Sequence, residues 1–165
     1  MTGAIGLHKA INAVWDASTL DATFKALWPS SVTAGDFPVL HDTEAPSNQP
    51  FPYCVIEIKT GMVETRMSGS ALVGRQIRGV PVTFSIHASE MSGDSRSSKQ
   101  IAEDLATEVT KVFGGHPSVT PETLALTSGK ALPTQYDNDY GVRTDDDKYL
   151  WVINYNFRVD VPIAA

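Results

Sequence analysis

The chain holds a single cysteine, Cys54, in 165 residues, so no disulfide can form within it, a pattern that agrees with a reducing compartment. Charge is sparse at 19%, and cations are the minority, with 13 Lys+Arg against 19 Asp+Glu and a net charge of -6. No lysine or arginine run occurs. Affinity for nucleic acid rests on clustered cations, so the composition argues against a surface that tracks phosphates. Long apolar runs are missing as well. No stretch is long and apolar enough to span a membrane, and residues 1–9 lack the basic start and continuous apolar stretch of a signal peptide. The expectation is a soluble protein made in the cytoplasm.

Catalytic motifs are equally scarce. Neither the Walker nor the dinucleotide glycine pattern occurs, and the serines at 68–70 and 92–98 lack the Gly-x-Ser-x-Gly elbow. His8, His41, His87 and His116 share no ligand spacing with one another or with Cys54, whereas a zinc site needs paired ligands on a short scaffold. A surface or partner-contact role for His87 is favoured over metal ligation. Cys54 sits in an apolar run with no cationic neighbour to activate it, and reads as a small core residue.

What is present is architecture. An apolar fraction of 42% is close to the globular norm, and the length suits one domain, residues 1–165, with a proper core. The clearest signal lies at the end. Trp151, Ile153, Tyr155, Phe157, Val159 and Val161 occupy alternate positions, with Asn154, Asn156, Arg158 and Asp160 between them. A period of two over that length makes a strand with one face on a core and the other toward water.

The amino-terminal part reads as helical. Leu7, Ala10, Ile11 and Val14 recur at helix spacing, as do Leu20, Phe24, Leu27 and Trp28. Between them Ser18, with Asp21 three positions later, offers an N-cap, so a helix kinks or a second one starts there. Pro29 ends the pattern. Residues 30–50 form a long connection with a short strand near 37–40. A strand follows at 52–63, and then a Gly/Ser/Met-rich segment at 61–74, too long for a tight hairpin turn, reads as a loop or an extended arm. Val80, Val82, Phe84, Ile86 and Ala88 mark the next strand. Pro81 cannot donate a ladder bond and so places that strand at an edge or a bulge. Ser97-Ser-Lys-Gln100 is a capping box, opening a helix with a stripe of Ile101, Leu105, Val109, Val112 and Phe113, which Gly114-Gly115 stop. Residues 124–136 read as an interrupted strand pairing antiparallel with the last one through an acidic loop. The order predicts an α+β fold: a mainly antiparallel sheet of about four strands with two or three helices on one face.

That acidic loop invites a calcium reading through Asp137, Asp139 and Asp145–Asp147. The EF-hand pattern fails, because Gly141 and Lys148 stand where ligands are required. A solvated hairpin loop is favoured, with an open divalent-cation site as the alternative. The aromatic side of the last strand lacks interleaved cations, which favours a core face over a base-stacking platform.

The chain resembles the tail terminator family of long-tailed bacteriophages, also called tail completion or minor tail protein U. The likeness is carried by residues 136–161: Tyr136, Arg143, Asp145-Asp-Asp147, Leu150-Trp151 and Ile153-x-Tyr155. It extends more loosely to Phe51-Pro-Tyr-Cys-Val-Ile-Glu-Ile58 with Thr60-Gly61, to the strand, loop and helix of residues 80–113, and to the first helix. The long connection after Trp28 and the second helical segment depart from the compact form of the family. The resemblance implies a virion protein without enzymatic activity or cofactor. Such a protein forms a homohexameric ring on the head-proximal end of the tail tube, stops tube polymerisation, and joins the major tail tube protein to the head-neck connector. DNA passes through the ring without specific binding, which suits the net acidity. The location implied is the virion tail, and the host cytoplasm during assembly. By the same analogy Arg66, Met67 and Arg75 of the arm, and Arg143 with Asp145, Asp146 and Asp147, are subunit or tube contacts, set against an ordinary solvated loop as the alternative. Three competing readings stay open: another neck or connector component, a small carboxylate-metal enzyme built on residues 137–147, and a ligand-binding α+β domain.

Overall fold

The computed structural model describes residues 6–33, 35–59, 62–67 and 75–162, by backbone alone at 62–67, 75 and 162. Its axis is one long antiparallel ladder. Strand β4 (Arg75–Ser89) and the terminal strand β7 (Lys148–Pro162) pair without interruption from Arg75↔Pro162 to Ser89↔Lys148. Both alternate, so the ladder has one apolar face: Val80, Val82, Phe84, Ile86 and Ala88 are buried beside Ile153, Tyr155, Phe157 and Val159.

Strands β2 (Tyr53–Ile58) and β3 (Met62–Met67) run one after the other along the free edge of β4. On the other side β6 (Gln135–Asp145) and the two-residue β5 (Lys130–Ala131) line β7. The sheet is thus four antiparallel lanes wide, β2/β3, β4, β7 and β6/β5, with the short β1 (Leu40–Asp42) added in parallel beside β2.

The helices supply the second layer. Helix α1 (Leu7–Ala17) and helix α2 (Leu20–Lys25) are separate, and Ser18 ends the first. The N-cap expected of Ser18 is not made. Thr19 holds that position without a side-chain cap, and the Ser18 hydroxyl instead donates to the Trp15 carbonyl at 2.6 Å and accepts from the Leu20 amide at 3.2 Å. Helix α3 (Ser98–Phe113) opens on the complete Ser97/Gln100 capping box. Its stripe of Ile101, Leu105, Val109 and Phe113 is buried, and Phe113 meets Phe84 with ring centroids 4.8 Å apart. Before it, Arg96 binds Asp94 and Asp104 at 2.7 Å each. The bonds from Arg96 hold the Asp94 carboxyl down at about 2.

Four further expectations need correction. Pro81 lies in an interior strand, not at an edge. In a strand, one residue's N–H and C=O point the same way, and the Pro81 carbonyl accepts from Lys59 N at 2.9 Å, on the β2/β3 side. Its missing N–H therefore falls at the junction between β2 and β3, where the ladder is already broken. The segment at 61–74 is not wholly loop or free arm, because Met62–Met67 continues the sheet; its remaining residues lie outside the described ones. The acidic loop is largely strand, since β6 runs to Asp145 and pairs Asp145 with Lys148. Finally, residues 124–129 are not strand, and only Lys130–Ala131 ladder onto β7 before β6 begins. The long connection is pinned by a buried polar residue: Gln49, 5% exposed, donates to the Pro38 carbonyl at 2.9 Å and meets His41 Nε2 at 2.8 Å.

Candidate assembly surfaces

The sequence singled out two groups, and the fold sets them at opposite ends of the sheet. Arg66 and Met67 end β3 opposite Gln76 and Arg75 of β4, level with the carboxyl end of β7. Arg143 and Asp145–Asp147 form the β6–β7 hairpin tip, level with its first residue. Fourteen strand steps between those ends amount to roughly 45 Å. The two groups are therefore well separated on a single subunit.

At the tip, Arg143 wraps the turn. Its guanidinium donates to the Asp145 carbonyl at 3.3 Å and the Asp146 carbonyl at 3.1 Å, and Asp145 Oδ1 accepts from Asp146 N at 2.8 Å. Lys148 approaches Asp145 at 4.0 Å and Asp147 at 3.8 Å. Each pair has a well-exposed partner, so its worth to stability is small. Among the described residues no three His, Cys, Asp or Glu side chains gather as a metal site.

Strand β6 itself is a surface that sequence reasoning missed. All its residues but Gly141 are exposed, and among the described residues nothing pairs its outer edge. A weak signal was available: Tyr136, Asn138, Tyr140 and Val142 alternate, but the aspartates between them favoured a solvated hairpin loop. Gly141 needs its lack of a side chain, because a Cβ there would come within 2.9 Å of the Trp151 ring and collide with that of Tyr149.

The sheet face away from the helices is mostly half-buried, with Val152 buried and Tyr140 and Val142 exposed. Across it run Tyr53, His87, Leu150 and Val142 in one row, and Val55, Ser85, Val152 and Tyr140 in the next. A polar ladder follows, with Thr83 donating to Asn154 at 2.9 Å and Asn154 donating to Asn138 at 2.8 Å. His87 stacks on Tyr53, centroids 4.6 Å apart and planes 8° apart, which gives it a packing role. Burial pushes its pKa below the ordinary value near 6.5. The folded chain then binds that proton less readily than the unfolded one, so the contribution is complete well above pH 6.5 and declines as pH falls through 6.5 toward the folded value. Denaturant midpoints measured at pH 7.5 and 5.5 should drop for the wild type and drop less for His87→Asn. Equal drops would remove His87 as the source.

Two further features bear on chemistry. Cys54 is fully buried, and burial pushes its thiol up, away from thiolate reactivity. A groove of about 340 Å³ between α3 and β6 is lined by Thr107, His116, Tyr136, Asp139 and Trp151 among others, and within it the Tyr136 hydroxyl is hydrogen-bonded to Asp139. The Trp151 Nε1–H has no partner there.

No protein-family model matches the sequence, and no curated protein matches it. Among solved structures, the fold is that of a chain in the virion of the native gene transfer agent (GTA) particle, with a TM-score of 0.53, 15% identity and 96% of each chain covered. At that identity the likeness establishes a shared fold.

Proposed function

We propose that this chain is a virion structural protein of a phage or phage-like particle and that it acts as a tail terminator. Copies form a homohexameric ring on the head-proximal end of the tail tube, block further addition of the major tail tube protein, and offer the opposite rim to the head-neck connector. The observation that carries this reading is a fold shared from end to end with a virion chain, in a sequence that resembles the terminator family at residues 136–161. The surfaces agree with it. A subunit that repeats one heterologous contact closes into a ring when the rotation is right, and two sheet edges on different lanes, unpaired among the described residues, could supply such a contact. A net charge of -6 lets DNA pass without being held. Arg66, Met67 and Arg75 lie at one end of the sheet and Arg143 with Asp145–Asp147 at the other, so in the ring one group faces the tube and the other faces the neck, or each meets a neighbour. The protein works by binding and shape, with no catalytic step and no cofactor.

The test uses the tube protein encoded in the same genome, polymerising in vitro. Added terminator should arrest elongation at substoichiometric ratios, on the order of one hexamer per tube, and negative-stain images should show a ring on one end. Tubes that grow to the same length with bare ends would refute the reading.

A further inference from the structure

We infer that the ring contact is a β-sheet junction: the outer edge of β6 in one copy pairs antiparallel with the outer edge of β3 in the next. This rests on the ring reading above and names its interface.

Three observations carry it. First, both edges are vacant among the described residues, since β3 pairs only β4 and β6 pairs only β7, while β1 covers the neighbouring β2. An eleven-residue exposed edge without proline, such as β6, offers a row of unsatisfied N–H and C=O groups. Second, the lanes β3, β4, β7 and β6 alternate in direction. With an even number of lanes, a copy placed side by side in the same orientation brings its β3 antiparallel to β6, the stronger ladder geometry. An odd number would have forced a parallel junction. Third, the two edges differ in charge. Strand β6 carries Asp137, Asp139 and Asp145 against Arg143, whereas β3 and the start of β4 carry Arg66, Arg75 and Arg78 against Glu64.

The levels of the edges then set the geometry. Strand β3 lies level with residues 158–162 of β7, and the first half of β6 lies level with residues 152–156. Bringing them together shifts each copy by about six residues, or roughly 20 Å, across four lanes spanning about 19 Å. Strands in the closed ring therefore tilt by about 45°, at the upper end of the ~35–45° found where sheets close on themselves. Without the shift, β3 would face the two-residue β5, whose Lys130 would bring a cation toward the arginine side.

Charge reversal tests the junction, with self-association read by analytical ultracentrifugation and negative stain. Asp137→Arg with Asp139→Arg places cations on both edges, and Arg66→Glu with Arg75→Glu places anions on both. Either pair should weaken ring formation on the order of a hundredfold. All four substitutions together restore opposite charges and should bring assembly back to within about tenfold of wild type, an outcome that loss of folding cannot mimic. Rings of wild-type affinity in either two-substitution chain, or no recovery in the four-substitution chain, would overturn the junction while leaving the capping reading intact. A wild-type chain that associates neither with itself nor with tubes would sink both.

Discussion

Replacing Phe84 with alanine should cost about 3–5 kcal/mol of folding stability, the range for truncating a buried aromatic. Phe84 is fully buried in the middle of β4. Its ring lies 4.8 Å from that of Phe113 at the end of α3 and 5.6 Å, edge-on, from that of Tyr155 on β7. It therefore joins the two layers as well as the two central lanes. Alanine leaves a void that Phe113 cannot fill, because α3 is held at its far end by the Ser97 capping box and is stopped at Gly114, φ 128°. Tyr155 is equally constrained, since its hydroxyl donates to the buried Gly114 carbonyl at 2.7 Å. Urea unfolding followed by circular dichroism measures the loss. A change under ~1 kcal/mol would show that the helix layer settles onto the sheet without this ring.

The second large effect is expected from one methyl group at Gly129. This residue has φ +88° just before β5, and the place of a Cβ is taken by the Asp160 carbonyl oxygen, with Val161 Cγ1 2.9 Å away. Gly129→Ala combines the strain of a left-handed non-glycine residue with a collision against the β7 backbone. A cost of about 2–4 kcal/mol follows, since each such conflict is worth roughly 1–3 kcal/mol. Gly93 is the control. Its φ is +84°, yet nothing lies within 4 Å of its notional Cβ, so Gly93→Ala carries only the conformational part, about 1 kcal/mol. Hydrogen exchange should show the Lys130 and Ala131 amides losing protection in Gly129→Ala alone. Equal losses in the two variants would mean that close approach to β7 is not what requires glycine at 129.

Both effects concern the frame that holds the vacant edges in place. Lanes β4 and β7 are locked by the core, whereas among the described residues β6 and β3 each have a partner on one side only. That division suits an assembly protein. Under the proposed ring reading, the interior gives each copy a fixed sheet width and leaves the rims for contact.

Much of the fold could be read from the chain because its signals are local. Alternation over 151–161 and 80–88 announced β7 and β4, and the Ser97/Gln100 box announced α3, since side-chain period and capping depend on residues within a few positions of one another. Pro81 misled because proline's effect depends on whether its missing N–H faces a partner, and the break between β2 and β3 spared it. The aspartates of β6 misled in the same way. Acidic residues disfavour a strand on local grounds, but β7 offered an already ordered edge for the whole of Gln135–Asp145.

By itself the sequence determined the α+β class, the apolar face of the sheet, helix α3 and the poverty of catalytic groupings, all of which follow from composition and short-range periodicity. Only the tertiary structure decided that β4 and β7 are the central lanes, that β6 and β3 have no second neighbour among the described residues, and that the two candidate contact groups stand at opposite ends. Lane order and edge vacancy arise from pairings between residues as distant as Arg75 and Pro162, and no local preference along a chain encodes which strand remains without a neighbour.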